Sequence, residues 1–169
     1  MRLSHFRMEN EEKIARVLVA VTGKFLTDAP GELKRVSKNV DGARGMSVLR
    51  YGDKLSGVFS EIYGGLVRLL MGVFAMIATF NFAAMVPFWF ILYPLATGNA
   101  FIVSAFKQVP RTMQLITEFI DQCGFPAGVF YLVNGAKEVL DAFTESHITK
   151  GISLVASTST CRIVGEKCA

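Results

Sequence analysis

An α/β domain with an open parallel sheet and flanking helices is the fold that the sequence predicts, and three observations predict it. Apolar runs of strand length alternate with helix-length segments from Gly72 onward, the order that βαβ units impose. The runs GVFAMIA (Gly72–Ala78), AFIVS (Ala100–Ser104), VFYLV (Val129–Val133) and GISLVA (Gly151–Ala156) are continuously apolar, as parallel strands covered on both faces are. Finally, 169 residues can bury one sizeable core but rarely two, and no linker interrupts them.

The elements follow in order. Phe6, Ile14, Val17, Leu18, Val21 and Phe25 recur at helical spacing, which predicts an amphipathic helix over residues 6–25 ending near Gly23. Asp28 and Pro30 start a second helix whose apolar face is Leu33, Val36 and Val40, with Lys34, Arg35, Lys38 and Asn39 turned to solvent. Residues 41–56 carry weak periodicity and three glycines and read as part helix, part loop. Residues 57–68 are β-prone around Gly64-Gly65 and read as a hairpin.

From Leu69 to Phe106 there is no Asp, Glu, Lys or Arg. A charge-free run of this length is long enough to span a bilayer, which makes a small protein anchored through residues 69–106 the second reading. Arg68 and Lys107 flank it, but Trp89 and Tyr93 lie near its middle, where an interfacial aromatic belt would not place them. Internal punctuation divides it more economically. A strand ends before Thr79 and Asn81, Phe82–Ala96 is a helix apolar on all sides and bent by Pro87 and Pro94, and Gly98-Asn99 stops it before the next strand. Val109, Met113, Ile116, Ile120 and Cys123 then mark one face of a helix closed by Gly124 and Pro126. Val139, Leu140 and Phe143 mark another helix, and Ser157-Thr158 the start of a last one.

Composition narrows the function classes. A net charge of +4, from 18 basic and 14 acidic residues dispersed along the chain, leaves no electrostatic footprint for nucleic acid. Cys123, Cys161 and Cys168 show neither an even disulfide framework nor metal-ligand spacing, and His5 and His147 stand far apart, so no metal is expected. The start, MRLSHFRMENEEKIARV, is broken by Glu9, Glu11 and Glu12 and resembles neither a signal nor a transit peptide. A cytoplasmic location is the expectation, with a mitochondrial one as the alternative.

A family resemblance rests on ATFNFAAMVP (residues 78–87), Pro94-Leu95-Ala96, Gly98-Asn99, Gln108-Val109-Pro110, GFPAGV (residues 124–129), Asn134-Gly135 and Lys150-Gly151-Ile152-Ser153. These segments resemble, in order and spacing, the aldehyde dehydrogenase superfamily, and most closely its methylmalonate-semialdehyde dehydrogenase branch. The corresponding family patterns are P-F-N-F-P-A-M-x-P, G-N-x-F, K-P-S-E-x-x-P, G-x-P-x-G and S-F-V-G-S. Thr22-Gly23-Lys24 and Gly31-Glu32 resemble two further segments upstream.

The resemblance implies a Rossmann-like NAD-binding domain without the usual glycine-rich fingerprint. It implies a semialdehyde and coenzyme A as the substrates of the whole enzyme. Homo- or hetero-oligomeric partners are expected, the latter including a role as noncatalytic partner of an intact dehydrogenase. It divides the chain into N-terminal helices (1–56), a hairpin (57–70) and a βαβ core (71–169), with the catalytic domain outside these residues. By the same resemblance Ala78 and Phe80 line the nicotinamide side. Asn81 is the amide that donates to the oxyanion, a contribution of about 3 kcal/mol to a transition state. Ser104, Lys107 and Gln108 follow the second strand on the cofactor's ribose side, and Ser157 meets the pyrophosphate at a helix start.

The sequence also departs from the pattern. Ser104-Ala105-Phe106-Lys107 stands where the family has Lys-Pro-Ser-Glu, so the ribose-holding lysine is missing and the acidic position is basic. Ala156 replaces a glycine before Ser157, Cys161 falls at a later small position, and Ala83 replaces a proline. The family's nucleophilic cysteine belongs to a downstream motif that Gly165–Ala169 imitates only superficially. The expectation is a truncated or degenerate cofactor domain, inactive alone, with NAD binding weakened or lost.

Overall fold

The computed structural model describes residues 10–59 and 62–169. Phe6, assigned above to the first helix, lies outside them. Helix α1 (Glu11–Thr22) buries Ile14, Ala15 and Leu18 and ends at Gly23, whose left-handed φ of 69° lets its N–H reach the Val19 carbonyl. Phe25, placed on the same face by periodicity, lies beyond that stop and is 78% exposed. Helix α2 (Ala29–Arg44) takes Pro30 in its first turn and runs to Arg44, absorbing part of the weakly periodic segment. A short α3 (Met46–Leu49) follows.

Strands β1 (Asp53–Phe59) and β2 (Ile62–Leu66) form an antiparallel pair. Its register joins Phe59 to Ile62 and Leu55 to Gly64, so Gly64 and Gly65 lie within the second strand and not at the turn expected there. The first strand, at Asp53, begins ahead of the range expected for the hairpin.

The second sheet is parallel throughout. It comprises β3 (Val73–Ile77), β4 (Ala100–Ala105), β5 (Phe130–Asn134) and β6 (Thr149–Leu154), in the order β5-β4-β3-β6. Helix α4 (Met85–Ala96) links β3 to β4, α5 (Pro110–Gln122) links β4 to β5, and α6 (Lys137–Glu145) links β5 to β6. By the right-handed rule for βαβ crossovers, α4 and α5 lie on one face and, because the chain reverses direction across the sheet, α6 on the other. Helix α7 (Thr158–Cys168) packs on α6.

The two faces are unequally covered. Helices α1 and α2 add a further layer over α5 and α4, and Phe101, Val103, Met113, Ile116 and Ile120 are sealed beneath them. Strands β5 and β6 are only half-buried, and Tyr131 is largely exposed. Consecutive residues are buried in β3 (Ala75, Met76) and β4 (Val103, Ser104, Ala105), so these central strands are covered on both faces as read from the sequence, whereas the outer strands β5 and β6 are not.

The charge-free stretch becomes β3, a turn, α4 and β4. Helix α4 is three residues shorter than predicted, since Phe82–Ala84 remain outside it. Pro87 falls in its first turn, where the missing N–H is no loss, and Pro94 lies inside near its end. The apolar residues are used for core: Met85, Val86, Phe88 and Ile91 are buried. No helix among the described residues is long and apolar enough to cross a membrane. Strand β6 starts two residues early, because Thr149 pairs with Val73 despite its polarity.

Candidate functional site

The sheet order reverses between β3 and β6. In open α/β sheets the connections leaving such a pair at the carboxyl ends diverge and leave a crevice. A cleft of about 500 Å³ lies there, walled by Ile77, Ala78, Thr79, Phe80 and Asn81 after β3, Phe106 after β4, and Val155, Ala156, Ser157 and Thr160 after β6. Four residues singled out in the sequence, Ala78, Phe80, Asn81 and Ser157, are therefore brought together.

The side chain of Asn81 is oriented by its neighbour: the Thr79 hydroxyl donates to Asn81 Oδ1 at 2.8 Å. That occupies the acceptor end of the amide and leaves Nδ2–H without a protein acceptor among the described residues. The arrangement can present a neutral N–H donor to an anion. Ala78 is fixed by its own N–H, which donates to the Ser104 carbonyl at 3.0 Å across the β3–β4 ladder.

Ser157 caps α7, its Oγ accepting from the Thr160 N–H at 3.4 Å. Its hydroxyl also lies 2.9 Å from Ser159 Oγ and 3.0 Å from Thr160 Oγ1. Hydroxyls and first-turn N–H groups so gathered suit an anionic group.

The other three predicted residues are placed differently. Ser104 is buried within β4, paired in register with Ile77 and Val133, and does not line the cleft. Lys107 and Gln108 are exposed in the turn before α5, also outside its walls. Phe106, which the sequence reading did not single out as a wall residue, enters the cleft, and its ring lies 5.5 Å from that of Phe80 at a tilt of 40°.

Two more residues escaped notice as parts of the site. Glu32 is 4% exposed, and its Oε1 accepts from the N–H groups of Ala84 (2.9 Å) and Met85 (3.0 Å) at the start of α4. Its Oε2 pairs with Lys24, whose ammonium also donates to the Asn81 carbonyl at 3.2 Å and lies 4.9 Å from the Phe82 ring centroid. A signal existed: Glu32 falls between Ala29 and Val36 on the apolar stripe of α2, where a carboxylate requires partners. Lys24, Arg35 and Asn81 also border a second cleft of about 590 Å³ beside Met85, so Asn81 faces both.

One thiol borders this arrangement: Cys161 Sγ lies 3.8 Å from the carbonyl oxygen of the wall residue Ala156. Cys123 is buried after α5, Cys161 and Cys168 are exposed on α7, and none of the three lines either cleft. No group of three or more His, Cys, Asp or Glu among the described residues could hold a metal ion.

The description that matches the sequence is the aldehyde dehydrogenase family, over residues 1–169. A malonate-semialdehyde dehydrogenase of Listeria monocytogenes is 36% identical over 150 residues, 89% of this chain and 31% of that protein. A methylmalonate-semialdehyde dehydrogenase of Oceanimonas doudoroffii superposes with a TM-score of 0.95 at 31% identity, over 99% of this chain and 34% of its own. A Sinorhizobium meliloti protein assigned to the same activity and solved with NAD gives 0.95 at 28% identity, over 99% and 34%. The chain thus spans about a third of the length of these relatives.

Proposed function

This chain belongs to the aldehyde dehydrogenase family, and from that membership we propose that residues 1–169 form the cofactor-binding part of an NAD-dependent semialdehyde dehydrogenase that yields an acyl-CoA. The observation that carries this reading is the convergence of Ala78, Phe80, Asn81 and Ser157 on one cleft at the switch point of the sheet.

The cleft fits a dinucleotide at two of its parts. Ser157 and the start of α7 suit the pyrophosphate, and Ala78 with Phe80 offers an apolar wall to a nicotinamide ring. It fits poorly at the ribose, where Ser104 is neutral and buried, Lys107 points its charge to solvent, and Phe106 narrows the cleft. NAD binding is weakened accordingly. When bound, the nicotinamide accepts the hydride that oxidation of an aldehyde releases.

Asn81 has a separate task. Its Nδ2–H donates to the oxygen that becomes negative when a thiolate adds to the aldehyde carbon, and a donor already oriented needs no reorganisation at that moment. The thiolate comes from outside the two clefts, since none of the three cysteines lies on them. Residues 1–169 alone therefore produce no NADH from a semialdehyde, NAD and CoA. The exposed apolar residues of the hairpin and its exit, Tyr63, Val67 and Leu69 among them, are covered by another domain or subunit in the working assembly.

Calorimetric titration of the chain with NAD tests the reading. Weak saturable heat that is abolished in Ser157→Trp, which fills the pyrophosphate end, is the expected result. Undiminished binding by that variant would place the cofactor elsewhere.

A further inference from the structure

We infer that Glu32 and Lys24 are positioning residues for Asn81, a role that rests on the oxyanion function proposed above for that amide. Between the end of β3 and the start of α4 the chain must reverse while keeping Asn81 at the boundary of two clefts. Its side chain is oriented from one side by the Thr79 hydroxyl. Its main chain needs a second constraint, or the amide would swing with the turn.

Helix α2 supplies that constraint from more than fifty residues away in sequence. One oxygen of Glu32 accepts from two successive N–H groups, those of Ala84 and Met85, which fixes the first turn of α4. The other oxygen holds Lys24, and Lys24 passes the constraint to the Asn81 carbonyl at 3.2 Å while resting against the Phe82 ring. Both ends of the segment 81–85 are thus tied to one carboxylate. The side chains of Glu32 and Lys24 are 1% and 15% exposed, so water competes little for the ion pair between them, while the bond onward to the Asn81 carbonyl is exposed. A cap for α4 would require only Glu32. The bridging cation, which among the described residues donates to no main-chain oxygen but that of Asn81, is what aims the network at the donor.

Amide NMR of the 169-residue chain tests this without any cofactor, using Lys24→Met, Lys24→Arg and Glu32→Gln. In Lys24→Met the side-chain NH2 pair of Asn81 moves, while the Ala84 and Met85 N–H groups stay protected because Glu32 still accepts from them. In Glu32→Gln the exchange of Ala84 and Met85 accelerates by about tenfold relative to Met76 in β3, as loss of a hydrogen bond to a charged group implies. Lys24→Arg restores the Asn81 resonances. An Asn81 side chain unmoved in Lys24→Met, or protection lost equally across the sheet with no recovery in Lys24→Arg, would overturn the inference. Should Glu32→Gln fail to fold, the Lys24 pair alone decides. A wild-type chain that binds no NAD would instead defeat the proposed function and leave these resonances as described.

Discussion

Asn81 shows how little a sequence says about a donor until its acceptor end is accounted for. The residue type and its place after a strand were visible, but the orientation of its amide follows from the Thr79 hydroxyl and from the buried Lys24–Glu32 pair. Those contacts join segments far apart in the chain, so only the folded arrangement reveals them. The end of β4 is the converse case. The substitutions at Ser104 and Lys107 were legible in the sequence, whereas the entry of the Phe106 ring into the cleft depended on where β4 ends. The ring can be removed: Phe106→Ser, which clears that side chain from the cleft wall, should tighten NAD binding in calorimetry.

Among the elements, the strands and the amphipathic helices were readable because each carries its own periodicity, and α5 buries the face Val109, Met113, Ile116, Ile120 and Cys123 as predicted. Boundaries set by long-range pairing were not. Thr149 joins β6 because Val73 offers it a ladder position, and Gly64 is drawn into β2 by Leu55. The end of α4 illustrates a tie that is both local and distant. Gly98 turns the chain at φ 89°, and Asn99 Oδ1 accepts from the N–H groups of Met71 (2.8 Å) and Gly72 (3.0 Å), seating the entry to β3. Asn99→Ala strands both donors and should lower stability by about 1–3 kcal/mol, read as a lower urea midpoint with an unchanged slope.

A second prediction belongs to the α6–α7 contact. The hydrogen bond from Lys167 holds Asp141 below the ordinary carboxylate range, and the same bond raises Lys167. The Asp141 contribution is present above its unfolded pKa and lost as the pH falls through the depressed folded value. That of Lys167 is present below its unfolded pKa and lost as the pH rises through the raised one. Amide protection of Val164 in α7 should therefore hold from about pH 4 to about pH 10 and decline on both sides. In Asp141→Asn the acid decline should be absent.

For the molecule as a whole, the uneven covering of its surfaces is the dominant feature. One face of the parallel sheet lies under two layers of helix, while Tyr51, Tyr63 and Leu69 stand more than four-fifths exposed along the hairpin and its exit. Such a surface is expected of a chain that spans a third of its relatives. Composition hinted at it through a 51% hydrophobic content, but could not say which apolar residues the core would leave outside. In isolation the chain should self-associate with increasing concentration in light scattering, and Tyr63→Ser with Leu69→Ser should shift it toward the monomer.

We propose that the crevice between β3 and β6 holds the cofactor, and an NMR titration of the 169-residue chain with NAD tests this most directly. Shifts should concentrate at Ala78, Phe80, Asn81 and Ser157, with little movement at Lys107 and half-saturation near about 1 mM, a binding free energy of about 4 kcal/mol. Shifts centred away from these residues, or cleft resonances unmoved at several millimolar NAD, would contradict it.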